Sequence, residues 1–128
     1  VHNPQYGWYE DGHIGRTPQF NQWADQWPTF FTQCRLKPQR DLAVKRGLSS
    51  RLIEQVDRVI DDFAWQMSAV EVRPCLLHGD LWSGNLAYLS QPRRAILYDP
   101  APYFGDPGAR RVPVRHKKHP AVKHVISL

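Results

Sequence analysis

Apolar residues recur at helical spacing most clearly in the middle of the chain. The repeating apolar positions are Leu52, Ile53, Val56, Val59, Ile60, Phe63 and Met67. Acidic and basic side chains occupy the positions between them, and Ser49 or Ser50 can cap the first turn. The pattern therefore predicts a long amphipathic helix whose charged face is a solvated surface without a function of its own.

Aromatic residues form a second stripe upstream, at Trp23, Trp27, Phe30 and Phe31. Asn21 is the predicted N-cap, and Pro28 predicts a break near Gln26 or Trp27. The stripe is expected to pack in the core rather than to form a ligand platform. A further helix is predicted over residues 37–46, ending at Gly47.

Short strand-like runs replace the helical pattern after residue 72. These runs are "CLLH", "NLAYL" and "RAILYD", with the polar loop "GDLWSG" after the first and the turn "SQPRR" after the second. Near the start of the chain, "YGWYEDGHIG" predicts a hairpin or ordered loop, and "RTPQFNQ" a loop leading to a helix. The chain is thus predicted to be α+β, with helices first and a small hairpin second.

The charge of the chain is unevenly distributed. The 128 residues include 17 Lys or Arg and 12 Asp or Glu. Six of the basic residues and none of the acidic ones follow residue 108, so residues 1–108 hold 11 basic and 12 acidic side chains. The segment 107–128 is therefore predicted to be a basic tail. Three interpretations of this tail stay open. It binds nucleic acid or anionic lipid, it is a solvated extension, or it results from a reading-frame shift near Asp106 or Pro107.

Targeting and redox signals favour a cytoplasmic protein. No apolar run is long enough for a membrane span, and the first residues lack the pattern of a secretory signal. Cys34 and Cys75 show no CxxC spacing, so thiols are expected rather than a disulfide. We expect no membrane partner, and nucleic acid is an unlikely partner because the tail lacks interleaved aromatic residues.

The loop "LLHGDLWSGN" carries the candidate chemistry. Asp80 is followed five residues later by Asn85, and Asp99 ends the next strand but one. Phosphoryl transfer needs a carboxylate at the acceptor hydroxyl and oxygen ligands for magnesium, which such a loop and hairpin can supply together. The alternative is an ordinary turn in which Asp80 and Asn85 hydrogen-bond the local backbone.

The amino-acid sequences of three segments resemble the fructosamine/ketosamine kinase family. They are "LLHGDLWSGN", "ILYDPAPYFGD" and "YGWYEDGHIGRTPQFNQWADQWPTFFTQCRL", which together place the resemblance over residues 1–106. Because members of this family resemble aminoglycoside phosphotransferases and protein kinases in fold, residues 1–106 are expected to form part of a C-terminal, mainly helical lobe with a small catalytic hairpin.

The resemblance implies a role for each site residue. Asp80 matches the catalytic aspartate, and Asn85 and Asp99 match the magnesium ligands that hold the nucleotide, so ATP and Mg²⁺ are the expected cofactors. Trp82 is a candidate wall for the sugar, or else packs locally. His78 is expected to order the loop. The implied reaction is phosphorylation of a sugar hydroxyl on a small-molecule or protein-bound ketosamine, a step in protein deglycation.

Two alternatives stay open at this point. One is another small-molecule kinase of the aminoglycoside or choline type, against which Trp82 and "DPAPYFGD" argue. The other is a non-catalytic fragment with a basic binding tail. The sequence lacks a glycine-rich loop after a strand and a strand lysine, which kinase-like enzymes use to hold ATP. The chain is therefore expected to be a fragment that is inactive alone.

Overall fold

The structure is a computed structural model that describes residues 3–108. Its strands and helices follow in the order β1 Gly12–Ile14, β2 Thr17–Gln19, α1 Trp27–Phe31, α2 Lys37–Lys45, α3 Ser50–Ser68, β3 Cys75–Leu77, β4 Leu86–Leu89, β5 Arg94–Leu97 and β6 Tyr103–Gly105. The predicted α+β composition is confirmed for this part of the chain. The predicted tail 107–128 lies outside the described residues except for Pro107 and Gly108.

Helix α1 begins at Trp27, and Pro28 lies in its first turn. Proline suits this place because the first N–H groups of a helix have no helical acceptor. One turn with π-helical hydrogen bonding, Thr32–Leu36, joins α1 to α2 without a gap. The prediction that Asn21 caps this helix is wrong. Gln26 holds the N-cap position, and Asn21 is buried among other partners.

Helix α3 confirms the predicted amphipathic helix, with Ser49 at its N-cap position. Ile53 and Ile60 are buried, whereas Leu52 and Val59 are 45% and 64% exposed. The apolar stripe in the sequence is thus wider than the face that α3 buries against α1 and α2. The predicted end of the preceding helix is also confirmed, because α2 is followed by Gly47 with φ +83°.

Three antiparallel strand pairs accompany the helices: β1 with β2, β3 with β6, and β4 with β5. The three runs predicted as strands after residue 72 are confirmed as β3, β4 and β5. Strand β6 was not predicted, and the segment predicted as a leading loop contains β2. The N-terminal segment also pairs with strand β6, because Gly7 and Phe104 exchange main-chain hydrogen bonds of 3.1 and 2.8 Å.

The core lies where α1 meets β3 and β6. Its buried members are Tyr6, Trp27, Phe30, Cys34, Leu77 and Tyr103. The rings of Phe30 and Tyr103 stack with their centroids 5.6 Å apart. The expected core role is therefore confirmed for Trp27 and Phe30, while Trp23 is more exposed.

Part of the exposed apolar surface lies on the β4–β5 hairpin and the residue that follows it. The exposed large apolar residues there are Tyr88, Leu89, Ile96, Leu97 and Tyr98. The helices that the structure describes include none that is both long and apolar enough to cross a membrane.

Candidate active site

The polar loop between β3 and β4 is held against the chain that follows Asp99. The main-chain N–H of Ala101 donates to the carbonyl of His78 at 2.9 Å. Gly79 adopts φ +80°, and a Cβ placed on it would lie 1.7 Å from the carbonyl oxygen of Ala101. Only glycine therefore allows this close approach, which brings the chain on either side of Asp80 and Asp99 together.

A short 3₁₀ turn, Ser83–Asn85, positions the asparagine of the loop. The side chain of Asn85 is buried, and its Nδ2 donates to Oδ2 of Asp80 at 3.1 Å and to the main-chain oxygen of Asp80 at 2.9 Å. The same Nδ2 lies 3.4 Å from the main-chain oxygen of Asp99. The structure thus brings all three predicted residues together around one amide group.

The hairpin register explains why Asp99 is adjacent to Asn85. Leu86 pairs with Leu97 at the open end of the antiparallel hairpin. The next two residues opposite each other are therefore Asn85, before β4, and Tyr98, after β5. The main-chain N–H of Tyr98 donates to the carbonyl of Asn85 at 3.1 Å. Asp99 comes next with φ +55°, an uncommon conformation for a residue with a side chain, and it is exposed.

His78 connects the loop to the end of β5. Its Nε2 lies 3.1 Å from the carbonyl oxygen of Tyr98, so this nitrogen carries the proton and donates. Its Nδ1 is buried and has no hydrogen-bond partner among the described residues. The role of His78 in ordering the loop stays a prediction, with which this contact is compatible.

Trp82 lies on the outer side of the loop. Its side chain is 53% exposed, and its ring covers Gly84, where an added Cβ would lie 2.2 Å from Cζ2. Both predicted roles are compatible with this position, because one part of the ring packs locally and the rest faces solvent.

The side-chain atoms of this loop are oxygen donors suited to a hard cation. The three side-chain hydrogen bonds of Asn85 all leave from Nδ2, so its Oδ1, like the Asp99 carboxylate, makes no hydrogen bond within residues 3–108. Residues 3–108 contain no group of three or more His, Cys, Asp or Glu side chains arranged for a metal. These two donors fit magnesium, which often takes few protein oxygens and completes its octahedron with water and phosphate.

Sequence reasoning missed the segment that lies beside Asp99. Gln19 is buried, and its Nε2 donates to the carbonyl of Ala101 at 3.2 Å. This contact places the β1–β2 hairpin next to residues 100–102. The sequence signal for this contact was the segment "EDGHIGRTPQFN". It resembles the family, but the sequence analysis gave it no role.

Arg35 is a second residue whose importance the sequence did not reveal. Its guanidinium lies over the edges of the stacked rings of Phe30 and Tyr103, 4.8 and 4.4 Å from their centroids. It donates to Oδ1 of Asn21 at 2.8 Å and also to the carbonyl of Phe20. Burial lowers the pKa of Arg35 from its usual value, and the same burial raises the pKa of Tyr103.

A family model for fructosamine kinase matches residues 1–109 of the chain. The "Probable ketoamine kinase" of Klebsiella aerogenes is 39% identical over 103 residues, which cover 80% of this chain and 34% of that protein. The chloroplastic protein-ribulosamine 3-kinase of Oryza sativa subsp. indica is 40% identical over 100 residues, which cover 78% of this chain and 29% of that protein.

Solved structures agree with these sequence matches. A candidate fructosamine-3-kinase from Thermobifida fusca YX-ER1 superimposes with a TM-score of 0.71 at 30% identity, covering 81% of this chain and 35% of that one. A second, from Haemophilus somnus 129PT, gives a TM-score of 0.69 at 27% identity, with coverages of 81% and 34%. The chain spans about a third of the length of these relatives.

Proposed function

The chain belongs to the fructosamine kinase family, and from this premise we propose that it carries the acceptor and metal half of an ATP-dependent ketosamine kinase site. The substrate is a free or protein-bound ketosamine, and the product is its sugar phosphate. In this proposal residues 1–106 belong to the C-terminal lobe of a kinase-like fold, with Asp80 as the catalytic residue and Asn85 and Asp99 as the magnesium ligands.

The meeting of Asp80, Asn85 and Asp99 around one amide group carries this proposal. Asn85 Nδ2 contacts Asp80 and the main chain of Asp99 at once, although the two aspartates lie on different connections of the fold. An ordinary turn explains the contact between Asp80 and Asn85, and the hairpin register places Asp99 beside them, but neither explains why the exposed Asp99 adopts φ +55°. A shared reaction centre accounts for all three.

In the proposed reaction, Asp80 accepts a hydrogen bond from a sugar hydroxyl, the 3-hydroxyl of a fructosamine or ribulosamine. The hydroxyl oxygen bonds to the γ-phosphorus as its proton passes to the Asp80 carboxylate, and the bond to the β,γ-bridging oxygen breaks to release ADP. Mg²⁺, when bound, would neutralise charge on the phosphates. Asn85 holds Asp80 in orientation through Nδ2 and, with Asp99, offers oxygen atoms to the cation.

The nucleotide needs contacts beyond those of residues 3–108. Within this range no strand carries a lysine, and none is followed by a glycine-rich phosphate loop. We therefore infer that this chain alone does not turn over ATP. Robust turnover of ATP and a ketosamine by the isolated chain, abolished by Asp80→Asn, would overturn that inference.

A chimaera tests the function directly. Residues 3–106 replace the matching segment of the Klebsiella aerogenes relative, and phosphorylation of a fructosyl-amine is followed by ADP release. We expect activity in the chimaera and a loss of at least about 10²-fold in kcat with Asp80→Asn, the scale on which a general base contributes. Asp25→Asn, an exposed aspartate away from the loop, serves as the matched control and should retain activity.

A further inference from the structure

A cleft of about 190 Å³ opens beside the candidate active site. Residues 8–13 of the N-terminal segment form one side, Gln19 and Asn21 form the back, and residues 100–102 form the other side. Pro100 follows Asp99 directly in the chain, so an occupant of the cleft lies next to the proposed metal ligand.

Hydrogen bonds fix the walls of this cleft to one another and to the catalytic loop. Gln19 Nε2 reaches the carbonyl of Ala101, and the N–H of Ala101 reaches the carbonyl of His78. On the opposite side, the N–H of Trp8 donates to the carbonyl of Asn21 at 2.9 Å. The cleft is therefore built into the fold at the site and is not a gap between loose loops.

Two acidic residues line the cleft. They are Glu10 and Asp11; the lining also includes His13 but no Lys or Arg. Asp11 Oδ1 accepts the N–H of Asn21 at 2.7 Å, which anchors that side chain. The Glu10 carboxylate makes no hydrogen bond or ion pair with any described residue, although its main-chain oxygen accepts from Asn21 Nδ2 at 3.0 Å.

An aromatic wall accompanies these carboxylates. Trp8 packs edge to face on Tyr9, with centroids 5.2 Å apart, and lies 5.7 Å from the ring of Phe104. Its ring is thus held in place before any ligand arrives. A fixed aromatic face beside an unpaired carboxylate suits an organic ammonium ion, through cation–π and charge-assisted hydrogen bonding.

We propose that this cleft binds the protonated secondary amine of the ketosamine, with Glu10 as its counter-ion and Trp8 as its aromatic wall. The inference rests on the proposed function and names its specificity determinant. A ketosamine differs from the plain ketose by an amine on the carbon at one end of the sugar, close to the hydroxyl that Asp80 contacts. A cation site next to Asp99 therefore distinguishes glycated amines from free sugars.

Two matched ligands test the charge requirement on the chain as it stands. The first probe is 1-deoxy-1-(propylamino)fructose, and the second is its N-acetyl derivative, which keeps the sugar and alkyl groups but has no positive charge. Binding is measured by ¹H–¹⁵N NMR titration. We expect the amine to bind at least about fivefold more tightly, with shift changes concentrated at Trp8 and Gly12, a difference of the size that one partly solvated charge pair supplies.

A pair of glutamate variants tests the counter-ion. Glu10→Gln should weaken binding of the amine probe about fivefold and leave binding of the N-acetyl probe unchanged. Glu54→Gln, on the solvent face of α3, should change neither. Glu10 is exposed and its side chain supports no contact in the described fold, so the substitution is not expected to affect folding.

Equal affinity for the two probes, or no binding of either, overturns the proposal that the cleft binds the amine, whatever the glutamate variants show. Failure of the proposed function is recognised separately, by an inactive chimaera. An active chimaera combined with equal affinities removes only the amine site. An inactive chimaera combined with a clear amine preference leaves a cation site that serves another reaction.

Discussion

The side-chain nitrogen of Asn85 lies 3.1 Å from Oδ2 of Asp80 and 2.9 Å from the main-chain oxygen of the same residue. One buried amide thereby restrains both the side chain and the backbone of the proposed catalytic aspartate. Since the amide also lies 3.4 Å from the carbonyl of Asp99, it restrains the proposed metal ligand as well. Stability and chemistry of the loop consequently depend on the same group.

Replacing this amide should destabilise the loop. We expect Asn85→Ala to lower the free energy of unfolding by about 1–3 kcal/mol, because partly buried acceptors lose their donor and a buried side chain is removed. Urea denaturation followed by tryptophan fluorescence measures the change. Gln55→Ala, on the exposed face of α3, is the control and should change stability by less than about 0.5 kcal/mol. Equal effects of the two substitutions would show that the amide bridge does not stabilise the loop.

A comparison of Gly→Ala substitutions at two positions distinguishes the cost of a left-handed backbone from the cost of a steric clash. Gly79 and Gly47 have nearly the same φ, +80° and +83°, but a Cβ meets the Ala101 carbonyl only at Gly79. We expect Gly47→Ala to cost about 1–2 kcal/mol, the strain of a left-handed residue. Gly79→Ala should cost at least about 3 kcal/mol, since the loop must also move away from residue 101. Similar urea midpoints for the two variants would contradict the close approach.

The half-buried guanidinium of Arg35 should stabilise the packing of α1 against β6. Arg35→Lys keeps the charge but loses the planar group that contacts the rings of Phe30 and Tyr103 and reaches Asn21. We expect a loss of about 2–4 kcal/mol in the free energy of unfolding. Arg40→Lys, whose guanidinium pairs with Asp57 at the surface, is the matched control and should have a smaller effect. Thermal melts of both variants decide the comparison.

Stability should fall at alkaline pH. Burial raises the pKa of Tyr103 above that of the unfolded chain, and burial raises the pKa of Tyr6 in the same direction. The folded state thus holds these protons more tightly, so its advantage is complete below about pH 10 and is lost as the pH rises through the folded values. The urea midpoint should drop above pH 10, and less steeply in Tyr103→Phe. Tyr88→Phe, at an exposed tyrosine, should keep the original profile.

Local spacing was sufficient to predict much of this molecule. Helix α3, strands β3, β4 and β5, and the meeting of Asp80 with Asn85 all depend on residues near one another in the chain. The hairpin then carries Asp99 to the same place, because antiparallel pairing sets which residues are opposite.

Features formed between distant segments were not predictable in this way. Strand β6 is a strand because it pairs with β3, and its own three residues carry no period. Asn21 looked like a helix cap because its side chain is typical of one, but Arg35 and Glu10 provide its partners instead. The cleft between residues 8–13 and 100–102 likewise exists only through contacts that no local pattern encodes.

Paramagnetic relaxation by Mn²⁺, a substitute for magnesium at oxygen ligands, is the most direct test of the central claim that Asn85 and Asp99 hold a cation beside Asp80. The ¹H–¹⁵N spectrum of the chain is recorded during a Mn²⁺ titration, for the unsubstituted protein and for Asp99→Asn. The account predicts selective broadening at Asp80, Asn85 and Asp99 that disappears in Asp99→Asn, while Gly47, in the connection between α2 and α3, is unaffected. Uniform broadening, or selective broadening that persists in Asp99→Asn, would contradict the account.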